Sequence, residues 1–155
     1  MKDISTMIDD VKFNYRVGLI IECGNEILIE VNPDIDFVTI PGGRVKTMET
    51  SKDGLKREIF EELHYKIKDK ECKLRGVIEN FFVYDNKNYH ELYFVYKLKI
   101  SKDHKLYKDN LVNEDSENNY FKWVKKSNLN KARLLPDVLV KLANDDGFDT
   151  YVVLK

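Results

Sequence analysis

The stretch "GGRVKTMETSKDGLKREIFEELHY", from Gly42 to Tyr65, holds three glutamates that a single helix would bring together. Glu58, Glu61 and Glu62 stand at positions i, i+3 and i+4, which share one face of a helix. Like charges at this spacing destabilise a helix by roughly 0.2–0.5 kcal/mol per pair. The cluster therefore calls for a compensating partner, and a bound cation is the simplest one.

Local signals define the helix that carries these glutamates. Thr50 is a capping residue, and Asp53 at the third helical position is a shorter version of the capping-box acid. Apolar side chains then recur at four-residue intervals, at Leu55, Ile59 and Leu63. The pattern predicts an α-helix from Ser51 to Leu63 with one apolar stripe facing the core.

Strand patterns lie on both sides of this helix. The run "VGLIIEC" from Val17 and the following "GNEILIEV" predict a hairpin, and long runs from Lys73 and Tyr89 predict a second one. Pro136 opens a second predicted helix. The polar segment Ser101–Asn119 predicts a long exposed loop. Together these elements predict a mixed α/β domain in which helices cover a sheet.

Composition limits the class of protein. A chain of 155 residues with 43% hydrophobic and 34% charged residues predicts one globular domain, residues 1–155. The net charge of -1 provides no overall field to attract a nucleic acid backbone, so we expect no duplex nucleic acid partner. Cys23 and Cys72 lack paired metal spacing and are expected to be reduced thiols.

The N-terminal stretch "MKDISTMIDDVKF" is acidic and polar, whereas a signal peptide is basic and then apolar. No apolar run approaches the roughly 18 residues that a membrane span needs. We therefore expect a cytoplasmic protein with no membrane partner.

The glutamates and the turn before them suit phosphate chemistry. A set of hard oxygen ligands favours Mg²⁺, with Mn²⁺ also suitable, and magnesium often shares its coordination sphere with substrate phosphates. The "PGG" turn at Pro41 brings bare backbone close to whatever the metal holds. The Gly42 carbonyl is therefore a candidate metal ligand.

The spacing of these residues resembles the Nudix box, G-x5-E-x7-R-E-U-x-E-E-x-G-U. The match covers 23 residues, from Gly43 to Tyr65, and it fills six charged or glycine positions: Gly43, Glu49, Arg57, Glu58, Glu61 and Glu62. One fixed position differs, because His64 stands where the family has glycine. Histidine tolerates positive φ better than most residues, so we expect a local strain of roughly 1 kcal/mol rather than lost activity.

The resemblance implies a Nudix fold, an α/β/α sandwich with a mixed central sheet. It also implies metal-dependent hydrolysis of a pyrophosphate linkage in a nucleoside diphosphate joined to another group, such as a nucleoside triphosphate. Glu58, Glu61 and Glu62 would hold the metal, and either Glu58 or Glu61 would accept a proton from water. Arg57 would orient the glutamates. Glu49 would support Arg57 or the loop, and Gly42 and Gly43 would keep the turn open.

Many members of the family use a further acidic residue from outside the box. The loop offers Glu114, Asp115 and Glu117, of which we favour Glu117 because it lies six residues before the tryptophan. Glu79 and Glu91 lie in the long strands, and either would reach the metal only if its side chain faced the helix.

Substrate choice lies outside the box, and the sequence does not identify the substrate. Phe37 precedes the "PGG" turn, Arg44 follows it, and Tyr84 stands near the position of a tyrosine in the dinucleoside polyphosphate enzymes. These three residues are the candidate substrate contacts.

Two other classes of function compete with an enzyme. The first is a catalytically silent Nudix-fold module that binds nucleotide or regulates, for which loss of box acids would be the signal. The second is an ordinary globular domain with an acidic surface helix and no metal affinity. The family often forms dimers, and exposed strand edges would permit a homodimer here.

Overall fold

The computed structural model describes residues 1–155 and forms ten strands and two α-helices. The strands are β1 Ser5–Ile8, β2 Val11–Cys23, β3 Glu26–Val31, β4 Val38–Thr39, β5 Gly42–Arg44, β6 Cys72–Tyr84, β7 Lys87–Lys99, β8 Leu111–Val112, β9 Tyr120–Lys125 and β10 Asp149–Leu154. The helices are α1 Ser51–Leu63 and α2 Val138–Ala143, and a 3-10 turn covers Lys126–Asn128. Neither α-helix has the length and apolar character that crossing a membrane requires.

All ten strands join one mixed sheet, whose main order is β10-β6-β7-β2-β3-β9-β8. The pairs β2–β7 and β10–β6 are parallel, and β6–β7 is a long antiparallel hairpin. Strand β2 pairs with β3 only at Glu22 and Cys23, whereas β5 pairs with β2 at Arg16, Val17 and Gly18. The sheet therefore opens between β2 and β3, and β5 lies at the opening.

Helices cover both faces of the sheet. Successive side chains of β2 point to opposite faces, and both sets are apolar and buried. Val17, Leu19 and Ile21 belong to the same buried cluster as the apolar stripe of α1. Ile20 points the other way and belongs to the cluster that contains Leu139 and Leu142 of α2. The predicted α/β/α sandwich with a mixed central sheet is confirmed.

Helix α1 has the predicted bounds and both predicted ends. The Thr50 hydroxyl accepts a hydrogen bond from the Asp53 amide at 3.1 Å. At the other end, His64 adopts the left-handed conformation, φ 52° and ψ 35°, and its amide donates to the Phe60 carbonyl at 2.9 Å. His64 therefore takes the backbone conformation for which glycine is usual at a helix end.

Four parts of the structure differ from the predictions. The segment Ser101–Asn119 is not simply exposed, because Leu106 and Leu111 are buried in the core and β8 pairs with β9. Strands β1 and β10 were not predicted, and the second helix begins at Val138 rather than at Pro136. The two extra strands are held mainly by pairing with distant segments, β2 and β6, which a local pattern does not reveal.

Candidate active site

The turn between β4 and α1 brings backbone and carboxylates into direct contact. Gly42 has φ 152°, and a Cβ there would overlap the carbonyl of Val17. A Cβ on Gly43 would overlap the carboxylate of Glu58. Gly42 has no room for a side chain, and a side chain at Gly43 would have to displace the Glu58 carboxylate, so the turn lies directly against α1.

Arg57 connects the acidic side chains of the box. Its Nε and Nη2 donate to the two carboxylate oxygens of Glu49 at 2.8 and 3.0 Å, and its Nη1 donates to Glu58 at 2.9 Å. Glu61 lies 3.5 Å from the same Nη1, and the Arg44 carbonyl accepts from Nη2 at 2.9 Å. The Arg57 hydrogen bonds hold the pKa of Glu49 below its usual value. The guanidinium thus fixes the carboxylates and the turn in one arrangement.

Glu62 is the most deeply buried of the three clustered glutamates, with 6% of the residue exposed. The Gly42 amide donates to Glu62 Oε1 at 3.0 Å, and Asn113 Nδ2 donates to Glu62 Oε2 at 3.3 Å. Burial, followed by the charges of Glu30 and Glu58, raises the pKa of Glu62 to about 9. Burial likewise raises the pKa of Glu58, against the opposing effect of Arg57. Both carboxylates carry an electrostatic cost that a nearby cation would reduce.

Glu30 of β3 joins Glu58, Glu61 and Glu62 as a fourth acidic residue of the site, one that the sequence pattern did not predict. Its buried carboxylate accepts hydrogen bonds from the side-chain amides of Asn113 and Asn119, each at 2.8 Å. Asn113 donates to both Glu30 and Glu62 and so links β3 to α1. The available signal was a charge within the apolar strand "ILIEV", because a buried carboxylate requires polar partners.

The structure brings together some of the other predicted site residues. Phe37 and Tyr84 meet edge to face, with ring centroids 6.2 Å apart. Arg44 is exposed and lies 3.9 Å from Asp3. Glu61 keeps 38% of its side chain exposed, the largest share among the box glutamates for which an ion pair is formed.

The sequence favoured Glu117 as the acidic residue that joins the site from outside the box, but Glu117 does not contact the box glutamates in the structure. Glu117 is exposed and forms no hydrogen bond or ion pair, and the same loop contributes Asn113 and Asn119 to the site instead. Glu79 is exposed as well. Glu91 is buried, but it accepts a hydrogen bond from Asn14 at 2.8 Å on the sheet face opposite α1. Glu91 therefore does not face α1, whereas strand register places Glu79 on the α1 face of the sheet, where it is exposed and contacts none of the box glutamates.

The acidic residues fit a hard divalent cation by their chemistry and by their electrostatics. They form a row rather than a closed cage, and no three His, Cys, Asp or Glu side chains are already gathered around one point. Along the row, Glu61 raises the pKa of Glu58, and Glu58 and Glu30 raise that of Glu62, in each case after burial itself. Carboxylate and carbonyl oxygens are the ligands that magnesium and manganese prefer. The residues that could hold a metal are Gly42, Glu58, Glu61 and Glu62.

Comparisons with known proteins identify the family and show similar folds. The NUDIX domain family model matches residues 15–142. The fold is similar to a MutT protein from Bacillus halodurans, with a TM-score of 0.68, 16% identity and coverage of 90% of each chain. It is also similar to a MutT protein from Methanosarcina mazei, with a TM-score of 0.60, 17% identity and coverage of 88% of this chain and 94% of that one. An Ap4A hydrolase from C. elegans gives a TM-score of 0.56, 21% identity and coverage of 85% and 94%. A search of curated proteins finds no match.

Proposed function

The chain belongs to the NUDIX family, and on that premise we propose that it hydrolyses a pyrophosphate linkage in a nucleoside diphosphate joined to another group. The observation that carries the proposal is the row of glutamates beside the Gly42–Gly43 turn, in which Arg57 holds Glu58 and the Gly42 amide holds Glu62. Hard oxygen ligands beside bare backbone favour a substrate with phosphate oxygens and an Mg²⁺ or Mn²⁺ cofactor. We infer that a nucleoside triphosphate or a related nucleotide derivative is the substrate.

The metal would be held by Glu58, Glu61, Glu62 and the Gly42 carbonyl. When bound, it would polarise the phosphoryl oxygens and lower the pKa of the attacking water. Arg57 keeps the carboxylates in place, and Glu49 fixes Arg57 through two hydrogen bonds. These contacts restrict the reacting groups before substrate arrives, which is how positioning contributes to catalysis.

Glu61 is the better placed of the two candidate bases. Glu58 accepts a hydrogen bond from Arg57 at 2.9 Å, whereas Glu61 is 3.5 Å from the same nitrogen and more exposed to water. A base must reach the proton that it removes, and an exposed carboxylate with a looser ion pair does so with less rearrangement. We therefore assign proton abstraction to Glu61 rather than to Glu58, and both stay with Glu62 in the proposed metal-binding set.

Aromatic and basic residues near the turn support a nucleotide as substrate. The edge-to-face pair of Phe37 and Tyr84 leaves Tyr84 46% exposed, so an aromatic face is available for a nucleobase. Arg44, exposed beside Gly43, would contact a phosphate. Glu117, which lies in the same loop as Asn113, would have to move with that loop to reach a metal.

The test is release of phosphate or pyrophosphate from nucleoside triphosphates, ADP-ribose, nucleotide sugars and dinucleoside polyphosphates, with Mg²⁺ or Mn²⁺ and with EDTA. We expect turnover of one substrate class that requires metal and falls at least about tenfold in Glu61→Gln. The matched control is Glu79→Gln, an exposed strand residue outside the site. Folded wild type that binds nucleotide but turns over no compound would instead establish the catalytically silent module.

A further inference from the structure

The sheet face opposite α1 carries a buried polar patch that the glutamate site does not use. Strand register places its members side by side: Asn14 pairs with Glu91 and Glu91 with Asn80, and Arg16 pairs with Tyr93. Residues paired in register share one face of a sheet. We call Asn14, Arg16, Asn80, Glu91 and Tyr93 the polar patch.

Hydrogen bonding within the polar patch is incomplete. Arg16 Nε and the Tyr93 hydroxyl are buried and have no partner with hydrogen-bond geometry, although Thr39 lies beside Tyr93. Asn80 is buried and lies beside Glu91 in the sheet. Glu91 accepts only one, from Asn14 at 2.8 Å. Because buried polar groups are nearly always paired, several incomplete ones in adjacent positions indicate that a molecule from outside the chain supplies the partners.

Electrostatics indicate what kind of molecule this is. The Arg16 guanidinium lies over the Tyr93 ring, 5.4 Å from its centroid, and forms no ion pair. Burial would lower the pKa of Arg16, but Tyr93 and the carboxylates of Glu91, Glu30 and Glu62 hold it above its usual value. Arg16 is thus a hydrogen-bond donor close to the Glu91 acceptor, so the patch suits a neutral group that has both hydrogen-bond acceptors and a donor.

Aromatic side chains border the same face. Phe82 stacks on Tyr89 with centroids 4.8 Å apart and planes at 22°, and alternation along β6 places Tyr84 on the face of Phe82 and Asn80. Phe37 reaches Tyr84 from the segment before β5. A polar floor with aromatic borders is suited to a planar heteroaromatic ring, which needs stacking surfaces and a few placed hydrogen bonds.

We propose that Arg16 and Glu91 bind the nucleobase of the substrate and select a base that carries an amino group. The Glu91 carboxylate accepts a hydrogen bond from the amino group, while Arg16 Nε and the Tyr93 hydroxyl donate to ring acceptors. The inference rests on the proposed function, because it concerns the substrate of that reaction. It identifies Arg16 and Glu91 as residues that determine specificity, at positions outside the box.

The polar patch lies close to the glutamates because β5 pairs with β2 at the opening in the sheet. Arg16 and Gly18 of β2 pair with Arg44 and Gly42 of β5, so the polar patch adjoins the turn that contacts Glu62. Gly18 has no room for a side chain, because a Cβ there would lie 2.5 Å from the Tyr93 hydroxyl. A base on the patch thus lies next to the backbone that leads to the glutamates.

The test is equilibrium binding of nucleoside monophosphates without metal, in two pairs that differ at an amino group: CMP against UMP, and GMP against IMP. In wild type, we expect the amino-bearing member to bind at least about tenfold more tightly in one pair or both. Glu91→Gln should abolish that preference, and Arg16→Leu should weaken the preferred ligand at least about tenfold. Glu79→Gln, which alters an exposed carboxylate on the neighbouring strand, should bind as wild type does.

Three results would overturn the inference and leave solvent as the partner of the patch. They are equal binding within both pairs, no measurable binding, and a preference that survives in Glu91→Gln. If Arg16→Leu does not fold, the side-chain amide resonances of Asn14 and Asn80 in wild type give an independent readout. They should shift on addition of the preferred monophosphate, and unchanged resonances at saturation would contradict the assignment. Binding is measured without hydrolysis, so absence of turnover would refute the proposed function without altering this result.

Discussion

At the scale of single residues, His64 shows how a departure from the family pattern is accommodated. The family has glycine at this helix end, and His64 adopts the left-handed conformation instead, with φ 52°. Its ring lies 5.9 Å from that of Phe60, a contact that glycine could not make. The three clustered glutamates are at other positions of α1, so we expect the substitution to affect the helix end and not the chemistry.

Replacing His64 with glycine should therefore stabilise the protein slightly. Removing the Cβ relieves roughly 1 kcal/mol of strain in the left-handed backbone conformation. Loss of the contact between the His64 and Phe60 rings offsets part of that gain. Urea denaturation should show a free energy of unfolding that is unchanged or up to about 1 kcal/mol higher, with hydrolysis preserved. A loss of activity in folded His64→Gly would show instead that the imidazole contacts substrate.

Glu62 gives a prediction about pH. Its pKa is raised from the ordinary value of 4.5 to about 9 in the metal-free protein, first by burial and then by Glu30 and Glu58. Between these values the folded state retains a proton that the unfolded chain has lost, so this group makes stability fall as pH rises through that interval. In metal-free protein, Glu62→Gln should reduce the fall in thermal stability between about pH 6 and pH 9.

In wild type with Mg²⁺, thermal stability should instead rise with pH, because the metal displaces the proton from Glu62 and binds better as pH rises. Glu79→Gln is the control and should follow wild type in both conditions. Identical stability profiles for wild type and Glu62→Gln would contradict the assignment of a protonated Glu62.

At the scale of elements, α1 was predictable because its signals are local. Capping at Thr50 and the apolar stripe fixed both ends of the helix, and box spacing indicated the face that bears Glu58, Glu61 and Glu62. Glu30 and Asn113 were not predicted, because they reach the site through pairing of β3 with β9 and through a loop whose buried leucines look isolated in the sequence. Their role depends on contacts between residues 83 positions apart, which no local pattern records.

The loop between β7 and β9 should matter for activity through Asn113. Its amide donates to Glu30 and Glu62, and the Glu114 amide donates to the Glu62 carbonyl at 2.9 Å. Asn113→Ala removes the link, so we expect hydrolysis to fall about tenfold and amide hydrogen exchange in residues 111–119 to rise.

Asn118→Ala provides the matched control, since Asn118 is an exposed amide of the same loop and forms no side-chain hydrogen bond. It should leave both measurements unchanged. Normal rates and normal exchange in Asn113→Ala would mean that the loop does not position the glutamates.

At the scale of the whole molecule, the sheet determines where chemistry can occur. Strand β2 pairs with β7 along one edge, while on its other edge it pairs with β3 only at Glu22 and Cys23, and β5 enters the remaining gap with its two glycines. The box predicted the layers of the sandwich, but the pairing of β2 with β7, and with it the polar patch around Arg16 and Glu91, emerges only from the assembled sheet. Local patterns thus predicted the reacting residues better than the residues that would select a substrate.

The central claim is that the glutamate row on α1 catalyses metal-dependent hydrolysis of a nucleotide. The most direct measurement is kcat for the best substrate with saturating Mg²⁺, for wild type, Glu62→Gln and Glu79→Gln, with folding verified by thermal unfolding. The account predicts that Glu62→Gln lowers kcat by about a hundredfold or more while Glu79→Gln retains the wild-type value. Equal kcat values for folded Glu62→Gln and wild type would contradict it.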